Sequence, residues 1–130
     1  MFSSILAVFC YRAFPTHIKK NCSRFKTGEF TLKSHLNGSY SLIDRNDSIQ
    51  IETSMKSGAK VTARIKWTTE CDYELQYLNQ TRIANDTITQ ILQVRPVKFK
   101  ILKTGKDYYV FEGRIDSVDF VYSDTMFLKK

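Results

Sequence analysis

From residue 22 onward, apolar and polar side chains alternate with a period of two, the rhythm of strands that bury one face and wet the other. In residues 60–67, Val61, Ala63, Ile65 and Trp67 share one face, while Lys60, Thr62, Arg64 and Lys66 share the other. Residues 71–77 repeat it, with Cys71, Tyr73, Leu75 and Tyr77 against Asp72, Glu74 and Gln76. Residues 48–54 place Ile49, Ile51 and Thr53 on one parity, and residues 97–103 place Val97, Phe99 and Ile101 there. Residues 108–115 and 118–122 follow less cleanly. Turn clusters separate the runs at Asn37-Gly38, Asn46-Asp47, Ser57-Gly58 and Thr104-Gly105-Lys106, because Gly and Asn tolerate positive φ. Phe25 and Phe30 fall on opposite parities, which predicts a bulge or bend at Gly28. Residues 79–86 are the one irregular connection. The pattern predicts an all-β antiparallel meander of about eight to nine strands, closed into a barrel or folded as a half-barrel, with the apolar faces inside.

Charge placement suggests the pairing. A turn at residues 68–70 sets Lys66 against Asp72, Ile65 against Tyr73 and Arg64 against Glu74. A turn at 104–106 sets Phe99 against Phe111, Ile101 against Tyr109 and Lys98 against Glu112. A two-residue turn at Asp116-Ser117 sets Arg114 against Asp119.

Length and composition narrow the functions available. The 130 residues, 42% hydrophobic and 25% charged, make one globular domain. They are too few for a multi-domain polymerase, topoisomerase or ATPase. The organisation expected is a leader-like segment and tether over 1–20 and a single β domain over 21–130. Residues 1–11 read MFSSILAVFCY, apolar from Ile5, too short to span a bilayer and similar to the apolar half of a secretory leader. Cys10 sits where a lipoprotein box would place its lipidated cysteine, so a membrane contact is expected only through such an anchor. Export to the periplasm or the outer membrane follows as the expected location. The oligomeric state stays open.

The net charge is +7, of which residues 1–33 carry +5. A positive balance permits a nucleic acid, an anionic lipid or an acidic partner. The densest basic run is Arg95, Lys98, Lys100, Lys103 and Lys106, beside Phe99, Tyr108 and Tyr109. Basic residues next to aromatics are what a single-strand groove uses, although strict alternation turns Phe99 away from the lysines.

Candidate chemistry is sparse. Cys22 and Cys71 both fall at expected strand positions; they are either a disulfide in an oxidising compartment or two buried thiols. No CxxC spacing exists, and His17 and His35 have no partners at metal-ligand spacing, so no metal or cofactor is expected. GxSxG, GxGxxG and P-loop motifs are missing, so no enzyme is expected. The apolar face carries Trp67, Tyr73, Tyr77, Phe99, Tyr109, Phe111 and Phe120, the candidates to line a ligand cavity. Buried phenols need hydrogen-bond partners, which points to a damp interior. The expected function is a non-enzymatic cell-envelope protein that binds a small apolar ligand or a protein partner inside or on the barrel. The alternative is nucleic-acid binding through residues 95–106.

Three segments carry a resemblance: NCSRFKTGEF at 21–30, IDRNDSIQIE at 43–52 and IKWTTECDYEL at 65–75. They are similar to a family of small exported proteins from Bacteroidetes, with a Cys-x-x-Phe-x-x-Gly-x-Phe start, an Arg-Asn turn and a Trp followed by a Cys-x-Tyr strand. The matching positions here are Cys22, Phe25, Gly28 and Phe30, then Arg45-Asn46, then Trp67 with Cys71 and Tyr73. Many members are labelled "DNA topoisomerase IV", and that label implies the nucleic-acid alternative. The family brings no activity to carry over. Gly28-x-Phe30 is also similar to the Gly-x-Trp start of lipocalins, with Phe in place of Trp, which implies a lipocalin-like barrel.

Overall fold

The alternating segments form eight antiparallel strands in a computed structural model that describes residues 19–34, 38–80, 95–119 and 121–129, the side chains of 79 and 80 excepted. Cys10, His17, His35, Phe120 and residues 81–86 of the expected irregular connection lie outside the described residues. The strands are β1 (Gly28–Lys33), β2 (Tyr40–Arg45), β3 (Ile49–Ser54), β4 (Lys60–Trp67), β5 (Asp72–Gln80), β6 (Val97–Thr104), β7 (Tyr108–Arg114) and β8 (Val121–Leu128). Each pairs with its sequence neighbours, and β1 pairs with β8 through Phe30 and Leu128, so the meander closes into a barrel. Closure removes the free edges that an open sheet of this length would expose.

A short 3-10 helix, Cys22–Phe25, caps one end. Phe25 and Phe30 fall on opposite parities because the chain passes from helix to strand between them. Gly28 makes that passage with φ +132°, a conformation L side chains rarely adopt. The cap is tied down from several directions. Cys22 and Cys71 form a disulfide, with Cα atoms 5.3 Å apart. Arg24 pairs with Asp107 at 3.2 Å, and the Asn21 amide donates to Thr104 Oγ1 at 2.9 Å. Lys20 Nζ donates to the carbonyl of Ile101 at 3.1 Å, so the last residues of the expected tether are fastened to the barrel. This closed end also holds the β2–β3, β4–β5 and β6–β7 turns; the opposite end holds the β1–β2 loop and the β3–β4 and β7–β8 turns.

Parity was legible from sequence and register was not. In β4–β5 the pairs are Trp67 with Tyr73, Lys66 with Glu74, Ile65 with Leu75 and Arg64 with Gln76, two residues away from the expected pairing. The turn is displaced by one residue because the Thr68 amide bonds the Asp72 carbonyl at 2.9 Å, leaving 69–71 as the loop. In β6–β7, Phe99 faces Gly113, Ile101 faces Phe111, Lys100 faces Glu112 and Lys98 faces Arg114. The register slips between Ile101 and Lys103, where Leu102 is the extra residue of a bulge. Arg114 faces Val121 rather than Asp119, because the chain turns over Ile115–Val118 and Ser117 takes φ 67°. A slip of two keeps every side chain on its own face, so the core pattern survives while the charge pairs change. Gly113 has a packing reason to lack a side chain: a Cβ there would lie 2.9 Å from the Phe99 ring.

One strand is inverted relative to the expectation. In β3 the inward positions are Gln50 and Glu52, and the isoleucines Ile49 and Ile51 point outward, half-buried. Alternation defines two faces but not which one is inside. The β3–β4 pairing decides it, setting Gln50 against buried Ala63 and Glu52 against Val61.

Candidate functional site

The interior divides into a packed floor and a hollow above it. The floor is built around Arg45 at the end of β2, which is 2% exposed. Its Nε donates to Gln50 Oε1 (2.8 Å), its Nη1 to the Phe25 carbonyl (2.9 Å) and its Nη2 to the hydroxyls of Tyr109 (2.9 Å) and Tyr73 (3.4 Å). The two phenols share a further hydrogen bond of 2.8 Å. The guanidinium lies 4.7 Å from the Phe30 ring centroid, 4.9 Å from Tyr73 and 5.9 Å from Tyr109. Aromatic faces and neutral acceptors thus stand in for a counter-ion. Burial pulls the Arg45 pKa down, but Tyr109 and Tyr73 outweigh it, and the net shift is upward. Burial raises the Tyr73 hydroxyl well above its ordinary value and Tyr109 adds to this, with Arg45 opposing, so the phenol stays protonated.

Above the floor is a cavity of about 400 Å³, within the usual range for small-ligand sites. Its apolar wall includes Leu75, Phe99, Phe111 and Met126, and Ser34 and Ser39 of the β1–β2 loop place its opening at the end opposite the cap. Its polar lining is Gln50, Glu52, Ser41 and the tyrosines Tyr73, Tyr77 and Tyr122. Among the described residues, Glu52 is the one charged side chain on that wall. Burial raises the Glu52 pKa, and a hydrogen bond from Ser41 opposes part of the rise. Tyr77 is pushed up by burial and then by the Glu52 charge. Tyr122 is pushed up by burial and by its hydrogen bond to Asp124 Oδ2 at 2.9 Å.

A half-buried carboxyl of this kind carries a stability signature. Its folded pKa lies above its unfolded value near 4.5, so the folded state favours the protonated form. The wild type is therefore least penalised below pH 4.5 and loses stability as pH rises through the raised value. Glu52→Gln is neutral at every pH. Thermal unfolding should find the variant more stable than the wild type at pH 8, with the difference fading at pH 4. An equal loss of stability at both pH values would contradict this.

The residues expected to line a cavity separate into two groups. Tyr73, Tyr77, Phe99 and Phe111 lie on the wall, with Tyr73 and Phe99 stacked at 5.0 Å. Trp67 and Tyr109 are not on it. Tyr109 packs in the floor on Phe25 at 5.2 Å, and Trp67 packs on Tyr73 at 4.6 Å with Lys26 Nζ 5.4 Å from its ring. Trp67 Nε1 is buried without an acceptor among the described residues. Arg45, Gln50 and Glu52 escaped the sequence reading. The Ser57-Gly58 turn held the signal for Glu52, because a hairpin there pairs it with Val61 on the inward face. Arg45 gave no signal beyond its place in the Arg-Asn turn.

The basic run lies on the outer face. Lys98 and Lys100 line an outer groove with Arg114, interleaved with Asp72, Glu74 and Glu112. Lys98 also bonds Asp116 at 2.6 Å, which raises its pKa, and Arg95 donates to the Asp116 carbonyl at 2.9 Å. Lys103 and Lys106 are exposed beyond the bulge. Phe99 points inward, so the run has no stacking partner in that ring, and acids break its positive charge.

No protein family, no curated protein and no solved structure matches this chain.

Proposed function

We propose that this protein is a non-enzymatic binding protein that holds a small, largely apolar ligand in the barrel cavity. The observation that carries this reading is the hollow of about 400 Å³ between the Arg45 floor and the open end. Interiors this size are ordinarily filled to crystal-like density, and a retained hollow forfeits dispersion contacts that a ligand would restore. The Cys22–Cys71 disulfide supports work in an oxidising compartment, in keeping with an exported, periplasmic or outer-membrane-associated protein.

N-phenyl-1-naphthylamine, a neutral dye that brightens in apolar surroundings, tests the reading. Its fluorescence should rise and saturate at one equivalent. Ser41→Phe, which pushes a ring into the hollow, should weaken the dye at least about tenfold. Phe127→Ser, on the outer surface where Phe127 is 48% exposed, should bind it as the wild type does. Loss of binding in Phe127→Ser with retention in Ser41→Phe would place the dye outside the barrel and overturn the proposal.

A further inference from the structure

The chemistry of the cavity wall narrows the ligand class, on the premise that the cavity is the binding site. Glu52 is the only charged group on the wall, and no cation pairs with it among the described residues. It faces the hollow from β3, with Ile43 on one neighbouring strand and Val61 on the other. The titratable groups turned toward it are the phenols of Tyr77 on β5 and Tyr122 on β8, with Asp124 behind Tyr122. All three are neutral or acidic.

Among the described residues, the buried cation of the interior is Arg45, in the floor. Its Nε, Nη1 and Nη2 already donate to Gln50, the Phe25 carbonyl and the two phenols. It is not on the cavity wall, so it offers no landing place for an anionic ligand. The wall instead presents one carboxyl and the aromatic side chains of Phe99, Phe111, Tyr73 and Tyr77, a combination that suits a positive charge attached to an apolar body.

We propose that the ligand is an apolar amine, bound as its ammonium ion with the charge at Glu52 and the hydrocarbon among Phe99, Phe111 and Leu75. The ammonium would supply the counter-charge that the described residues do not. A carboxylate ligand of the same shape would meet a like charge, and an alcohol would gain only a neutral hydrogen bond. The raised Glu52 pKa agrees with this arrangement: burial disfavours the carboxylate there, and a bound ammonium would offset that cost.

Three probes of one shape separate the possibilities: 4-phenylbutylamine, 4-phenylbutanol and 4-phenylbutyrate, titrated calorimetrically into the full chain at pH 7.5. The amine should bind at least about tenfold more tightly than either of the others. In Glu52→Gln the ratio of amine to alcohol affinity should fall to about one. As pH falls through the raised Glu52 pKa, that ratio should fall in the wild type and stay flat in the variant. An alcohol or carboxylate that binds as tightly as the amine overturns the amine assignment and leaves the cavity reading intact. So does an amine preference that persists unchanged in Glu52→Gln. If none of the three binds and N-phenyl-1-naphthylamine also fails, the cavity reading falls with it.

Discussion

Replacing Arg45 with alanine should destabilise the fold by about 4 kcal/mol, the upper range for emptying a large buried position. Two losses add. The truncated side chain leaves a void beneath Phe30, Tyr73 and Tyr109, whose rings now pack on the guanidinium. The Phe25 carbonyl and Gln50 Oε1 lose their donor in a region closed to water, which costs about 1–3 kcal/mol for each group left unpaired. Arg45→Met should lose only about half as much. It refills the volume and removes a buried charge, and the Tyr73–Tyr109 hydrogen bond needs no partner from residue 45. Arg45→Lys should be worse than Arg45→Met despite keeping the charge. One ammonium cannot reach the four acceptors that the guanidinium spans, and it is costlier to dehydrate. Denaturant melts of the three variants check the order. A lysine variant as stable as the wild type would show that the forked geometry is unimportant.

Reducing the Cys22–Cys71 bond should cost about as much for a different reason. The cross-link spans a sequence separation of 49, and on the chain-entropy account a loop of that length is worth about 4 kcal/mol, exerted mainly on the unfolded state. Reduction or a paired Cys22→Ala, Cys71→Ala change should therefore lower Tm by roughly 15 °C while leaving the far-ultraviolet spectrum of the folded barrel unchanged. The folded state keeps its shape because the cap has other fastenings. Phe25 is fully buried, Arg24 pairs with Asp107, and Lys20 and Asn21 bond the start and end of the β6 bulge region. A shift below about 3 °C would contradict a bonded pair.

These two expectations draw on different parts of what could be read from the chain. The barrel was legible because Val61, Ala63, Ile65 and Trp67, and then Tyr73, Leu75 and Tyr77, keep a clean parity that registers two residues apart do not disturb. The disulfide was legible as one of two readings, and proximity in the fold selects it. Register was illegible because it depends on backbone details such as the Thr68–Asp72 bond and the bulge at Leu102. The site was half legible. Its aromatic wall follows from the apolar parity, but its polar residues sit where a parity argument expects solvent. Ile49 and Ile51 look like a core face and lie outside, because the neighbouring hairpin commits Gln50 and Glu52 to the interior. A polar floor and a carboxyl in the wall contradict local pattern, and such contradictions concentrate where a structure does something other than fold.

The most direct test of a hollow, ligand-holding barrel is an isotope-filtered nuclear Overhauser experiment on the complex with N-phenyl-1-naphthylamine. The account predicts cross-peaks from the dye protons to the methyl groups of Ile43, Leu75 and Met126, all buried and all on the cavity wall. Cross-peaks confined to outward-facing Leu42, Ile51 or Leu102, with none to those three, would contradict it.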